Sequence, residues 1–158
     1  MLTQLQLSVD GVVVFDPPQV GRPSSPTCAV YNPAGTSVST PTPTVGSVNT
    51  TLSQAAAIGA STITVSSATG IAARQTLLLT DTDGERDWVR VRSVSGSVVT
   101  LFERLKSAFT SGSTLQSCRL SVTVPSASIG TIDEGYELRW AYTIDGTVYR
   151  AQTRFDVV

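Results

Sequence analysis

Tyr136-Glu137-Leu138-Arg139-Trp140-Ala141-Tyr142-Thr143-Ile144-Asp145-Gly146-Thr147-Val148-Tyr149-Arg150-Ala151-Gln152-Thr153-Arg154-Phe155 is the stretch that decides the fold. Tyr136, Leu138, Trp140, Tyr142 and Ile144 recur at every second position. That spacing puts large apolar side chains on one face of an extended strand and Glu137 and Arg139 on the other. Asp145-Gly146 supplies the residue types that most readily take the positive φ angles of a tight hairpin turn. A second extended arm follows. The stretch predicts a long antiparallel hairpin, and one hairpin alone cannot be stable without further strands.

Those strands are legible on both sides. Arg119–Val124 alternates and stops at Pro125. Near the start, Leu2–Val9 reads as a first strand with Thr3, Leu5, Leu7 and Val9 on one face. Val12–Phe15 follows a turn at Asp10-Gly11, and Thr27–Tyr31 ends in the turn sequence Asn32-Pro33-Ala34-Gly35. Residues 40–51, interrupted by Pro41 and Pro43, read as an edge strand leading to a domain boundary.

The middle of the chain has its own character. Ser61–Ser66, Gln75–Thr80, Asp87–Val94, Ser97–Phe102 and Thr114–Gln116 are short strands, and Asp81-Thr82-Asp83-Gly84 makes a hairpin turn between two of them. Leu52–Ala57 is helix-compatible but too short to stand alone. Glu103–Phe109 reads as one helical turn or a loop. So many strands with tight turns in so short a span predict a small barrel. The fold class expected is therefore all-β and discontinuous: residues 1–48 and 118–158 form an immunoglobulin-like sandwich, and residues 49–117 form a small β-barrel inserted into it. Neither flank alone has strands enough for two sheets, and three tandem fragments would each have too little core.

Composition narrows function. Only 15% of the 158 residues are charged, below the globular norm of about 25%, and Ser, Thr, Gly and Val fill the difference. Ten arginines and Lys106 stand against twelve acids, for a net charge of −1. No basic block marks a nucleic-acid footprint, so no specific nucleic acid is expected as a partner. No apolar run approaches the ~20 residues that span a bilayer, so no membrane partner is expected either. The first residues lack the basic and apolar regions of an export signal, which predicts use without export.

Catalytic and metal chemistry find little to stand on. The chain has no histidine, which removes Ser-His-Asp and Cys-His arrangements. Cys28 and Cys118 fall at apolar positions of predicted strands and read as buried free thiols rather than a disulfide; two thiols cannot make a structural zinc site. Asp81-Thr82-Asp83-Gly84-Glu85 has a calcium-loop flavour, but its glycine follows the second acid directly, so it reads as a hairpin turn. Asp133 and Glu134 could in principle serve as a carboxylate pair, yet before Gly135-Tyr136 they read as a solvated loop. No catalytic, cofactor-binding or metal-binding residue is predicted, no cofactor is expected, and the chain is expected not to be an enzyme. Trp88, Trp140, Tyr136, Tyr142 and Tyr149 could stack on sugars, but their places in strands favour core or interface roles. Arg90 and Arg92 share one strand face, with Arg86 nearby. With Asp145 and Gly146 at the hairpin tip, they are the candidate interface residues.

Two patterns resemble those of tailed-bacteriophage virion proteins. Ala57–Ile71 (AIGASTITVSSATGI), continued by Trp88–Gly96 (WVRVRSVSG) and Phe109–Gly112 (FTSG), is similar to a small β module of phage structural proteins. Gly135–Trp140, Asp145-Gly146 and Phe155–Val158 resemble the closing hairpin of immunoglobulin-like domains in head, neck and tail components. The resemblance implies a multi-copy structural subunit at the head–tail junction (neck, connector or collar), or else a capsid decoration or tail protein. It implies a virion location after assembly in the host cytoplasm. Portal, capsid or tail components and further copies of the chain, as a homo-oligomer, would be its partners. A carbohydrate-binding or adhesive immunoglobulin-like module is the alternative from another class.

Overall fold

The computed structural model describes residues 3–5, 10–129 and 135–157. The described residues form an all-β protein whose only helical element is a single 3-10 turn at Ser126–Ser128. The chain divides into two compact units. Met1–Gly46 with Arg119–Val158 make one, and Ser47–Cys118 make the other.

The discontinuous unit is a two-sheet sandwich. One sheet has the order β1 (Thr3–Leu5), β14 (Thr147–Val157), β13 (Tyr136–Ile144), β3 (Ser24–Tyr31), β4 (Ser37–Ser39). The other has β2 (Gly11–Phe15), β12 (Leu120–Val124), β5 (Thr44–Val45). Every pairing is antiparallel except that of β1 with β14. The chain changes sheet between β1 and β2, between β2 and β3, between β4 and β5, and between β12 and β13. The inward positions of both sheets meet in one core: Val13, Leu120, Val122 and Val124 from one side, and Val30, Leu138, Trp140, Tyr142 and Phe155 from the other. Trp140 is paired in register with Cys28, so the large ring and the small thiol share one layer of that core. Of the first strand predicted over residues 2–9, β1 is described; residues 2 and 6–9 lie outside the described residues. β4 carries no apolar alternation, and its pairing to β3 comes from the Asn32–Gly35 turn, where Gly35 donates to Asn32 O at 2.9 Å.

The inserted unit is a six-stranded sheet, β6 (Asn49–Thr51), β11 (Thr114–Gln116), β8 (Thr76–Thr80), β9 (Arg86–Ser95), β10 (Val98–Leu101), β7 (Thr62–Thr64). Its two edges meet. Leu52 and Val65 form an antiparallel bridge, flanked by bonds from Ser53 N to Thr64 O at 2.9 Å and from Ser66 N to Thr51 O at 2.8 Å. Closure satisfies strand edges that would otherwise remain open. Leu52, Ile63, Val65, Leu77, Leu79, Val91, Val99 and Leu115 fill the interior. The helix-compatible stretch Leu52–Ala57 is not helical. Its Ala56 exchanges two backbone bonds with Phe109, both 2.8 Å, and a six-residue helix could not compete with a completed ladder. Residues 103–109 form a loop that drops Leu105 and Phe109 into the core. The backbone at Gly70 favours glycine: its φ is +79°, and a Cβ there would stand 3.1 Å from Ser47 Oγ.

The boundaries fall slightly outside those expected at 48/49 and 117/118. Val48 packs into the barrel core, and its carbonyl accepts from Ser117 N at 2.9 Å, which draws Val48 into the inserted unit. On the sandwich side, Gly46 N bonds to Arg119 O at 2.9 Å.

Candidate functional site

Alternation along β13 and β14 leaves Glu137, Arg139, Arg150, Gln152 and Arg154 on the outer face of the five-stranded sheet. At one end of that face, Glu137 lies in register with Tyr31 on β3 and with Arg154 on β14. The three side chains form a row across three strands. The row opens onto a groove of about 440 Å³, bounded also by the Asn32–Gly35 turn and by Arg139. That volume lies within the range of small-ligand and side-chain pockets.

The electrostatics of the row are lopsided. Glu137 Oε1 accepts from Arg139 Nε at 2.6 Å, and the Arg139 guanidinium lies 3.9 Å from the centre of the Tyr31 ring. The hydrogen bond to Glu137 raises the Arg139 pKa further above its already high value. Arg154, directly across from Glu137, has no ion pair with any described residue. Two guanidiniums thus flank one carboxylate, which is committed to Arg139.

The interface residues proposed from sequence separate into two places. Arg90 and Arg92 are exposed on β9 of the barrel. The Arg90 guanidinium sits 5.1 Å over the Phe102 ring, which is 50% exposed. Arg92 occupies a bulge, because Ser93 pairs with Thr100 and Val91 with Leu101. Asp145 and Gly146 form the β13–β14 turn with φ angles of +49° and +80°, the left-handed pair of a type I′ hairpin. The tip belongs to the sandwich and Arg90 and Arg92 to the barrel, so they do not make one site within a unit.

The acidic hairpin has an internal occupation. Asp81 Oδ1 accepts from the Thr110 amide at 2.9 Å, from the Thr110 hydroxyl at 2.6 Å and from the Ser113 hydroxyl. Led by the Ser113 and Thr110 hydroxyls, these bonds hold the carboxyl far below the usual carboxylate range. Glu85 accepts from Ser107 Oγ at 2.8 Å, and Asp87 from Lys106 N at 3.2 Å. The hairpin's acids therefore fasten the 102–113 loop. Among the described residues no cluster of three or more His, Cys, Asp or Glu side chains is arranged to hold a metal. Asp133 and Glu134 lie outside the described residues.

Tyr136, Trp140 and Tyr142 are core residues, each no more than 2% exposed. Trp140 Nε1 donates to Thr153 Oγ1 at 3.0 Å and Tyr142 Oη donates to Gln19 Oε1 at 2.7 Å, so the polar ends of both rings are satisfied inside. Tyr149 stacks on Tyr142 at the core margin, and Trp88 is half-buried. Both cysteines are buried thiols.

No protein-family model matches the chain, and no curated protein does. Among solved structures, it is similar in part to the Gp54 tailspike of Acinetobacter baumannii bacteriophage AP22, in complex with A. baumannii capsular saccharide. The likeness covers 54% of this chain and 15% of that one, at 21% identity and a TM-score of 0.39. The chain thus spans a small part of the tailspike's length. An overlap of this size carries no argument about function.

Proposed function

We propose that this chain is a non-enzymatic bacteriophage virion structural protein, a multi-copy assembly subunit of the head–tail junction in a neck, connector or collar. The observation that carries this reading is the way charge is distributed. Asp16, Asp81, Glu85, Asp87 and Glu137 are all bonded within the chain, whereas Arg92 and Arg154 stand exposed without a carboxylate partner among the described residues. Acids committed to structure are poor general acids or bases, and unpaired exposed arginines suit contact with another protein. The likeness of residues 57–71, 88–96 and 109–112 to a phage β module supports the same reading. Capsid and tail positions use the same logic of surfaces. The partners are other virion proteins and further copies of this chain, met during assembly in the host cytoplasm.

The carbohydrate-binding alternative needs an exposed aromatic row. Burial of Tyr136, Trp140 and Tyr142 weighs against it. The deciding experiment is mass by light scattering on the purified chain, alone and mixed with proteins of its source virions. A closed oligomer or co-assembly is expected; a monomer that ignores virion proteins would refute the proposal.

A further inference from the structure

We propose that the groove formed by Tyr31, Glu137, Arg139 and Arg154 binds a carboxylate carried by an acidic segment of a partner protein, with Arg154 taking the charge. The choice of a protein as occupant rests on the assembly reading above. The charge-binding site itself rests on geometry alone.

Glu137 and Arg154 face each other directly across β13 and β14. Opposite charges in that relationship ordinarily pair. Here the pair is not made, because Glu137 is drawn to Arg139 on its own strand at 2.6 Å. Arg139 is held a second time, by the face of Tyr31 at 3.9 Å. These two contacts fix its guanidinium before any ligand arrives, which lowers the ordering cost of binding. Arg154 keeps its forked donors, whose planar geometry matches a carboxylate. The lining carries two positive charges against one negative, so an anion is favoured over a cation.

The same contacts select the occupant. A sugar would look for an open aromatic face, and the Tyr31 face toward Arg139 is already covered. A phosphate would gain from several free guanidiniums, and Arg139 is partly spent on Glu137. A single carboxylate on an extended acidic segment fits a groove of about 440 Å³ beside one free arginine.

The probe is fluorescein-labelled hexaglutamate, read by anisotropy against the full chain at low salt. Wild type is expected to bind it, more weakly as salt rises, and not to bind labelled hexaglutamine. Arg154→Gln is expected to weaken binding about tenfold or more. Glu137→Gln, which removes the competing carboxylate, should bind at least as tightly as wild type. Arg74→Gln, exposed on the barrel, should stay within about twofold, as expected of a residue outside the site. Because Arg154 is exposed, its variant should unfold within about 2 °C of wild type, which excludes misfolding as the cause.

Absence of hexaglutamate binding, indifference to Arg154→Gln, or an equal loss in Arg74→Gln would overturn the proposal. So would Arg154-dependent binding of glucuronate in a chain that ignores hexaglutamate, which would give the groove to an acidic sugar. A chain that stays monomeric and ignores virion proteins in light scattering, yet binds hexaglutamate through Arg154, would keep the site and remove the assembly reading.

Discussion

Asp81 and Thr110 hold each other twice: the Thr110 amide and its hydroxyl both donate to Asp81 Oδ1, at 2.9 and 2.6 Å. The carboxylate sits at the start of the β8–β9 turn, where its own amide bonds to Glu85 O at 2.7 Å. Thr110 lies in the loop that carries Phe109 into the barrel core. One side chain therefore ties a hairpin turn to the loop that plugs the barrel, and the turn's acidity serves structure.

This tie has a definite pH signature. The folded Asp81 carboxyl titrates far below its ordinary value of about 3.9. A depressed acid contributes stability above its unfolded pKa and loses it as pH falls toward the folded one. Asp81→Asn should therefore lower the melting temperature at pH 7. The gap from wild type should narrow as pH falls below about 4. Thermal melts of both proteins between pH 2 and 7 check this, and a gap independent of pH would show that the charge is not what matters.

The sandwich hairpin was readable in the sequence because period-two apolar spacing and Asp145-Gly146 act locally and agree with each other. A small barrel was expected from the many short strands of residues 49–117, but the contacts that close it were not readable. Closure depends on Leu52 meeting Val65 and Ala56 meeting Phe109, and nothing in Leu52–Ala57 distinguishes a ladder from a helical turn. Ser37–Ser39 escaped for a similar reason, since its strand character comes from its neighbour β3. For the groove, the sequence placed Glu137 and Arg139 together on the polar face. That Tyr31 and Arg154 join them follows from pairing across β3, β13 and β14. That Glu137 chooses Arg139 over Arg154 is a matter of side-chain geometry, which spacing does not encode.

Trp140 is the largest fully buried side chain. Its ring stacks on Phe15 at 5.7 Å, and its Nε1 is bonded to Thr153. Trp140→Ala should cost about 3–5 kcal/mol in urea unfolding. Thr153→Val, which strands the indole N–H, should cost about 1–3 kcal/mol. If Trp140→Ala cost less than about 1 kcal/mol, the ring could not be anchoring the sandwich core.

Cys28 lies opposite Trp140 in register, and burial pushes its thiol up to about 11. At pH 8 only about one molecule in a thousand would hold the reactive thiolate, even with access. Cys28 should therefore resist a thiol reagent in the native protein and react fully once the chain is unfolded in denaturant. Peptide mapping after timed labelling distinguishes it from Cys118. Rapid native labelling of Cys28 would mean that the sandwich opens locally around Trp140.

Gly146 tests whether the hairpin tip matters through conformation or through contact. Its φ is +80°, and a Cβ added there would meet nothing within 4 Å. The cost of Gly146→Ala is therefore conformational, about 1–2 kcal/mol for an L-residue forced into the left-handed region. Urea unfolding should show that loss with an unchanged m-value. Because the new methyl group points into open space, co-assembly measured well below the unfolding transition should be unaffected unless the tip itself touches a partner. A stability loss with normal assembly assigns Asp145-Gly146 to folding alone. A loss of assembly larger than the stability change explains places the tip in the interface.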